Sequence, residues 1–148
     1  MSLLHFSGDL FTSDAPALGH GVNVYGVMGA GIAVRFRNEY PAMYEQYAAH
    51  CAAKLLTPGH VFYWNDAEKA DVYNIASQDA PGRNARLEWL EAGLDRALSH
   101  ASEKGFDRIA LPLIGCGIGG LEWEDVEPLY EQLSAKHGVD IEVWTYDK

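Results

Sequence analysis

The hydrophobic positions change period several times along the chain, and each change predicts an element. Residues 3–6 are a short apolar run before the turn at Gly8-Asp9 and predict a first strand. Beyond a connector at 14–16, Leu18, His20, Val22 and Val24 alternate with smaller residues, which predicts a second strand over 17–25. Ile32, Val34, Phe36 and Tyr40 then form an apolar helical face, with Arg35, Arg37, Asn38 and Glu39 outside it. Pro41 suits a first helical turn and starts a second helix running towards Lys54, with Met43, Tyr44, Tyr47, Ala48 and Cys51 as its buried positions. The β formers of 60–64 and the run 71–76 flank a polar hairpin connection. A polar loop at 77–85 is long enough to be a working loop. Leu87, Leu90, Leu94, Ala97, Leu98 and Ala101 mark the clearest helix, over 86–104, closed by Gly105. Residues 108–113 are apolar on both faces, as in a central strand, with Pro112 near the end. Val126, Leu129, Tyr130 and Leu133 mark a last helix with an acidic first turn, and 140–146 a last strand.

Strands first, then alternating helix and strand, predict an α/β domain: a mixed central sheet, parallel in its middle, with helices on both faces. The 148 residues read as a single domain, 1–148, without repeats or low-complexity segments. A domain of this length buries roughly 70% of the surface its unfolded chain exposes.

The formal net charge of −10 argues against nonspecific nucleic-acid binding, which needs clustered Lys and Arg. It leaves room for a ligand whose phosphates are held by backbone amides. Cys51 and Cys116 form no disulfide framework and no metal-ligand spacing, so no metal is expected, and reduced thiols point to a cytoplasmic protein. The N-terminal run has neither the basic region nor the apolar length of a signal peptide, and no stretch approaches the ~18 apolar residues of a membrane span, so no membrane association is expected.

Two stretches interrupt the periodic pattern in the same way. Gly115, Gly117, Gly119 and Gly120 follow the strand at 108–113 and precede a helix, and Gly26, Gly29 and Gly31 follow the strand at 17–25 and precede another. Strand, glycine loop and helix together form an anion cradle, because glycine lets the backbone approach and a helix start presents free N–H groups. One such loop reads equally well as a tight turn. Two of them, opening at the carboxyl edge of a parallel sheet, suggest a diphosphate ligand. Gly115-x-Gly117-x-x-Gly120 matches the dinucleotide fingerprint formally, but it follows the penultimate strand, and neither loop carries the Lys-Ser/Thr ending of a P-loop.

Four segments in order carry a family resemblance: Gly-Asp-Leu-Phe around Asp9, His-Gly-Val-Asn ending at Asn23, the run 26–33, and the run 114–123. Together they resemble a macrodomain, across nearly the whole chain. The most similar branch holds the terminal ADP-ribose protein glycohydrolase, the antitoxin that removes ADP-ribose from DNA, and the yeast-type ADP-ribose-1″-phosphate phosphatase. The resemblance implies a three-layer fold and a ligand, ADP-ribose or an ADP-ribosylated substrate, with no cofactor. It implies an adenine end at Asp9 and Leu10, Asp9 accepting from the adenine amino group; a turn-forming Asp is the plainer reading of the residue. Met28, Gly29, Ala30, Gly31, Ile32 and Ala33 would line the diphosphate and distal ribose. Ile114, Gly115, Cys116, Gly117, Ile118, Gly119 and Gly120 would close from the other side. Trp144 falls where the family often has an aromatic packing on adenine, with Tyr146 as the rival.

The chain departs from the branch where its glycohydrolases carry catalytic groups. Their lysine falls here at Ser77 or Gln78, and their loop acid at Gly119. Neither Ser nor Gln replaces an amine that attacks an anomeric carbon. That points to a water-based hydrolysis, with Asn23 orienting the ribose or a water and His20 or Asp79 as base if the fold brings either within reach. Arg83 and Asn84 are candidates to contact a phosphate or the modified group, and Cys116 is a small loop residue with no base beside it. The alternative is a non-catalytic ADP-ribose reader.

Overall fold

The computed structural model describes residues 3–146; Met1 and Ser2, part of the N-terminal run read above, lie outside the described residues. Its strands are β1 (Leu3–Ser7), β2 (Ala17–Val22), β3 (Val61–Trp64), β4 (Asp71–Ala76), β5 (Arg108–Leu111) and β6 (Asp140–Thr145). They form one sheet in the order β1-β6-β5-β2-β4-β3. All neighbours are parallel except β3, which returns antiparallel along β4 through the predicted hairpin. The helices are α1 (Ile32–Glu39), α2 (Pro41–Ala52), α3 (Leu87–Lys104) and α4 (Trp123–His137). Phe36, Met43 and Tyr47 of α1 and α2 pack with Leu18, Val22 and Val72 on one face. Leu90, Leu94, Leu98, Val126 and Tyr130 of α3 and α4 pack with Tyr73, Ile75, Ile109 and Leu111 on the other. The sheet is therefore the middle of three layers, as a strand buried on both faces requires.

Local chemistry sets where elements stop. α3 closes at Gly105, whose left-handed φ of 81° lets its N–H bond back to Ala101 and Ser102. β2 ends at Val22, three residues before the predicted boundary. Asn23 turns the chain there: its Oδ1 accepts from Tyr25 N at 2.9 Å, and its Nδ2 donates to Val27 O at 2.9 Å. A side chain that bonds its own following backbone competes with strand pairing. β5 likewise stops at Leu111, because Pro112 has no N–H to continue the ladder.

Candidate functional site

The parallel strands β2, β4 and β5 end on the same edge, where their exit loops surround a cavity of about 560 Å³. One wall is the glycine segment 29–33 with Val27; the other is 112–115 with Gly117, Ile118 and Gly119; Gly21, Val22, Asn23, Ser77, Gln78, Pro81 and Gly82 complete it. A second cavity of about 620 Å³ lies off the ends of β1 and β6, lined by Gly8, Asp9, Leu10, Phe11, Arg35, Trp144, Thr145 and Tyr146. Gly31, Ile32, Pro112 and Leu113 line both, so the two chambers form one groove.

Tyrosines from the helices behind hold the two walls. Tyr47 Oη donates to Asn23 O at 2.7 Å, and Tyr44 Oη to Gly26 O at 3.1 Å, pinning the first glycine segment to α2. Tyr130 Oη donates to Pro112 O at 2.7 Å and accepts from Ile114 N at 3.1 Å, pinning the second to α4. The second segment is also tied to the 77–85 loop by Ala85 N to Gly119 O at 3.2 Å. Backbone held this way keeps its shape without ligand, which lowers the ordering cost of binding.

The chambers differ electrically. No side chain lining the first is ionisable. The second carries a pair: Arg35 reaches both Asp9 oxygens at 3.4 and 3.3 Å and lies 4.4 Å from the Phe11 ring centre. Asp9 also accepts from Phe11 N at 3.0 Å, so the turn-forming role foreseen for it holds in this structure. The Trp144 indole stacks on Phe6 at 4.8 Å and donates to Glu142 at 3.0 Å. Glu142 is buried and also takes bonds from Ser13 Oγ at 2.6 Å and Arg108 Nε at 2.7 Å. One carboxylate thus fixes Trp144 and the segment that follows Asp9–Phe11.

A macro domain family model matches residues 20–130. The chain belongs to the macrodomain family. It is 33% identical over 144 residues to a DNA ADP-ribosyl glycohydrolase of Thermus aquaticus, covering 95% of this chain and 39% of that protein. The macrodomain of Mycobacterium tuberculosis DarG superposes with a TM-score of 0.88 at 31% identity, covering 97% of each chain. Thermosipho africanus DarTG in complex with ADP-ribose superposes at a TM-score of 0.86 and 26% identity, covering 97% of this chain and 41% of that one. The macrodomain therefore spans about two fifths of the length of the Thermus aquaticus relative.

The macrodomain fold brings most of the expected residues to the groove. Asn23, Gly29, Ala30, Gly31, Ile32, Ala33, Ile114, Gly115, Gly117, Ile118 and Gly119 line the first chamber, and Asp9, Leu10 and Trp144 the second. Five others stand elsewhere. Met28 is 1% exposed and packs in the core with Phe36 and Met43. Gly120 turns away beneath the Arg83 guanidinium. Cys116 packs against the α3–α4 side, and burial, then Glu122, push its thiol up to about 11, which leaves it protonated. Asp79 is exposed on its loop and does not line the chamber.

His20 is corrected most clearly. It is fully buried, stacks on Phe36 at 3.8 Å and bonds Asn74 Oδ1 through Nε2 at 2.7 Å, on the α1–α2 side of the sheet. Even-numbered positions of β2 face that side, so no base can reach the cleft from residue 20. Burial lowers its pKa from 6.5 to about 4, against the opposing Asn74 bond. A depressed histidine stabilises the fold above its unfolded pKa and loses that stability as pH falls through about 4. Unfolding free energies from urea titrations at pH 7 and 5 should therefore differ by about 2 kcal/mol from this group, and His20→Gln should flatten that difference.

The residues missed by sequence reasoning are mainly strand-end positions: Gly21, Val22, Gly82, Gly8 and Thr145. Arg35 lies outside the apolar face of α1 read from the sequence, yet it stands three residues on from Ile32 and lines the second chamber with it. Among the described residues no cluster of His, Cys, Asp and Glu is suited to a metal, and no helix is long and apolar enough to cross a membrane.

Proposed function

We propose that this macrodomain binds ADP-ribose along the two-chamber groove and hydrolyses the bond between the distal ribose and an attached group. The observation that carries this is the single groove: two pinned glycine walls face each other at the strand ends, continuous with a chamber bearing an aromatic and a carboxylate. Adenine would enter the Asp9–Trp144 chamber, the diphosphate would cross at Gly31 and Leu113, and the distal ribose would occupy the first chamber. The relatives support the ligand, since one is named a DNA ADP-ribosyl glycohydrolase and another is solved with ADP-ribose. Among attached groups we favour a nucleic acid or protein; an ADP-ribose-1″-phosphate is the other arm of the test.

The chemistry consistent with these walls is attack of water on the anomeric carbon, with the leaving group taking the proton. The wall side chains supply neither an amine nor a carboxyl. Their part is to exclude bulk water and hold the ribose against a water molecule, as positioning alone lowers a barrier substantially. Asn23, expected to orient the ribose or a water, shapes the wall in this reading: its Oδ1 accepts from Tyr25 N and its Nδ2 donates to Val27 O. The absence of an ionisable wall residue equally favours a second reading, a module that holds ADP-ribose without turnover. A cytoplasmic setting agrees with the free thiols Cys51 and Cys116.

The test is incubation with ADP-ribosylated DNA, ADP-ribosylated protein and ADP-ribose-1″-phosphate, with ADP-ribose calorimetry alongside. We expect release of the attached group from at least one, no adduct after borohydride, and a rate constant within about a factor of two between pH 6 and 9 because no wall group titrates. Tight ADP-ribose binding without turnover would leave the reader; no binding would remove both. With ADP-ribosylated DNA, binding should weaken little as salt rises, because an acidic chain releases few counterions.

A further inference from the structure

Three side chains with hydrogen-bonding groups line the first chamber: Asn23, Ser77 and Gln78. Two are committed to the loops themselves. Asn23 holds the turn described above, and Gln78 Nε2 donates to Ala80 O at 2.6 Å. Ser77 is 1% exposed, and its Oγ has no hydrogen-bond partner among the described residues. A buried hydroxyl left unpaired is destabilising by about 1–3 kcal/mol. Folding alone does not account for a serine here, since alanine would fit the same backbone.

The neighbouring glycine bears on that hydroxyl. A Cβ added at Gly21 would stand 2.6 Å from Ser77 Oγ and 2.7 Å from Ile114 Cγ2. Gly21, Ser77 and Ile114 all line the chamber. The missing side chain lets the Gly21 backbone pack directly on the hydroxyl and on the second wall, with no room for a methyl group between them. Ser77 thus sits in the chamber wall, and any side chain at Gly21 would displace its hydroxyl.

The partner's chemistry follows from the hydroxyl and its uncharged surroundings. A hydroxyl offers one donor and two acceptor sites, and it is matched best by another hydroxyl. Nearby walls are apolar, and none of the lining residues is a cation, so a charged phosphate oxygen set here would lack a counter-charge. We propose that Ser77 Oγ is a ligand contact that bonds a hydroxyl of the distal ribose and sets its depth in the chamber. The proposal rests on the reading of the groove as an ADP-ribose site. Ser77 is one of the two positions, with Gln78, at which the family resemblance places a lysine.

Calorimetry with ADP-ribose and with ADP, which lacks the distal ribose, tests it on Ser77→Ala, alongside thermal melts of the free protein. The expected result is ADP-ribose affinity about tenfold weaker, the effect of one neutral hydrogen bond, with ADP affinity unchanged and melting no lower than in the unaltered protein. Gly21→Ala should give the same selective loss by pushing the Ser77 hydroxyl out of place. Unchanged ADP-ribose affinity in Ser77→Ala, or equal losses for ADP and ADP-ribose, would overturn the proposal. If the unaltered protein bound ADP but not ADP-ribose, the groove reading would fail, and the proposal with it.

Discussion

Gly119→Ala is expected to weaken ADP-ribose binding by about 10–100-fold, the range set by overpacking a rigid contact. A Cβ there would stand 2.8 Å from Gly115 O, 2.9 Å from Ala85 Cβ and 3.1 Å from Gly115 Cα. None of these atoms is the end of a flexible side chain, so the wall itself must move. It is held on several sides: Leu121 N bonds Gly115 O at 2.7 Å, Ala85 N bonds Gly119 O at 3.2 Å, and Tyr130 fixes Ile114. Relief therefore displaces the wall rather than one residue. The same contacts predict that Gly119→Asp, which places an acid where the family resemblance would put one, loses binding instead of gaining rate. Calorimetry on both variants checks this. ADP-ribose affinity within a factor of about two of the unaltered protein in Gly119→Ala would show that the wall absorbs the methyl and that the close packing is not functional.

The largest effect on stability is expected from Glu142→Ala. Its carboxylate is buried and bonded to Arg108, Ser13 and Trp144. Removing it leaves the indole N–H without its partner, leaves Arg108 to Asp14 and Asp107 alone, and frees the Ser13 segment. Losing these bonds, with the indole N–H left unpaired, is destabilising by about 1–3 kcal/mol, roughly 3–10 °C of melting temperature for a domain of this size. The consequence reaches the ligand, because Trp144 lines the second chamber and Ser13 directly follows the Asp9–Phe11 segment that also lines it. ADP-ribose should bind more weakly to the folded variant at low temperature, while ribose 5-phosphate, which has no adenine, should not distinguish the two proteins. Trp144→Phe keeps a ring to stack on Phe6 and should lose less stability than Glu142→Ala. Equal melting temperatures for Glu142→Ala and the unaltered protein would refute the central place given to this carboxylate.

Much of the architecture was legible along the chain. The α3 face, the closing Gly105, the hairpin between β3 and β4 and the apolar β5 each follow from local period, propensity and end chemistry, which depend on neighbours a few residues away. The glycine segments were legible for the same reason: a loop that approaches a ligand closely advertises itself in composition. Strand ends were not. The alternation in 17–25 continues past Val22, and only the tyrosines of α2, packed behind Asn23, show where pairing yields to the turn.

The glycine walls, the expected ligand and the loss of the lysine and loop acid were therefore determined by sequence alone. Which face each side chain takes was decided by tertiary structure. His20 and Gly21 are adjacent in sequence, yet one is sealed against Phe36 and the other lines the chamber, packed on Ser77. A strand sends successive residues to opposite sides, and only the assembled layers determine which side is core and which is cleft. The same holds for Ser77. Its type and position were visible at once, but that its hydroxyl is buried, unpaired and set in the chamber depends on residues from three separate strand ends.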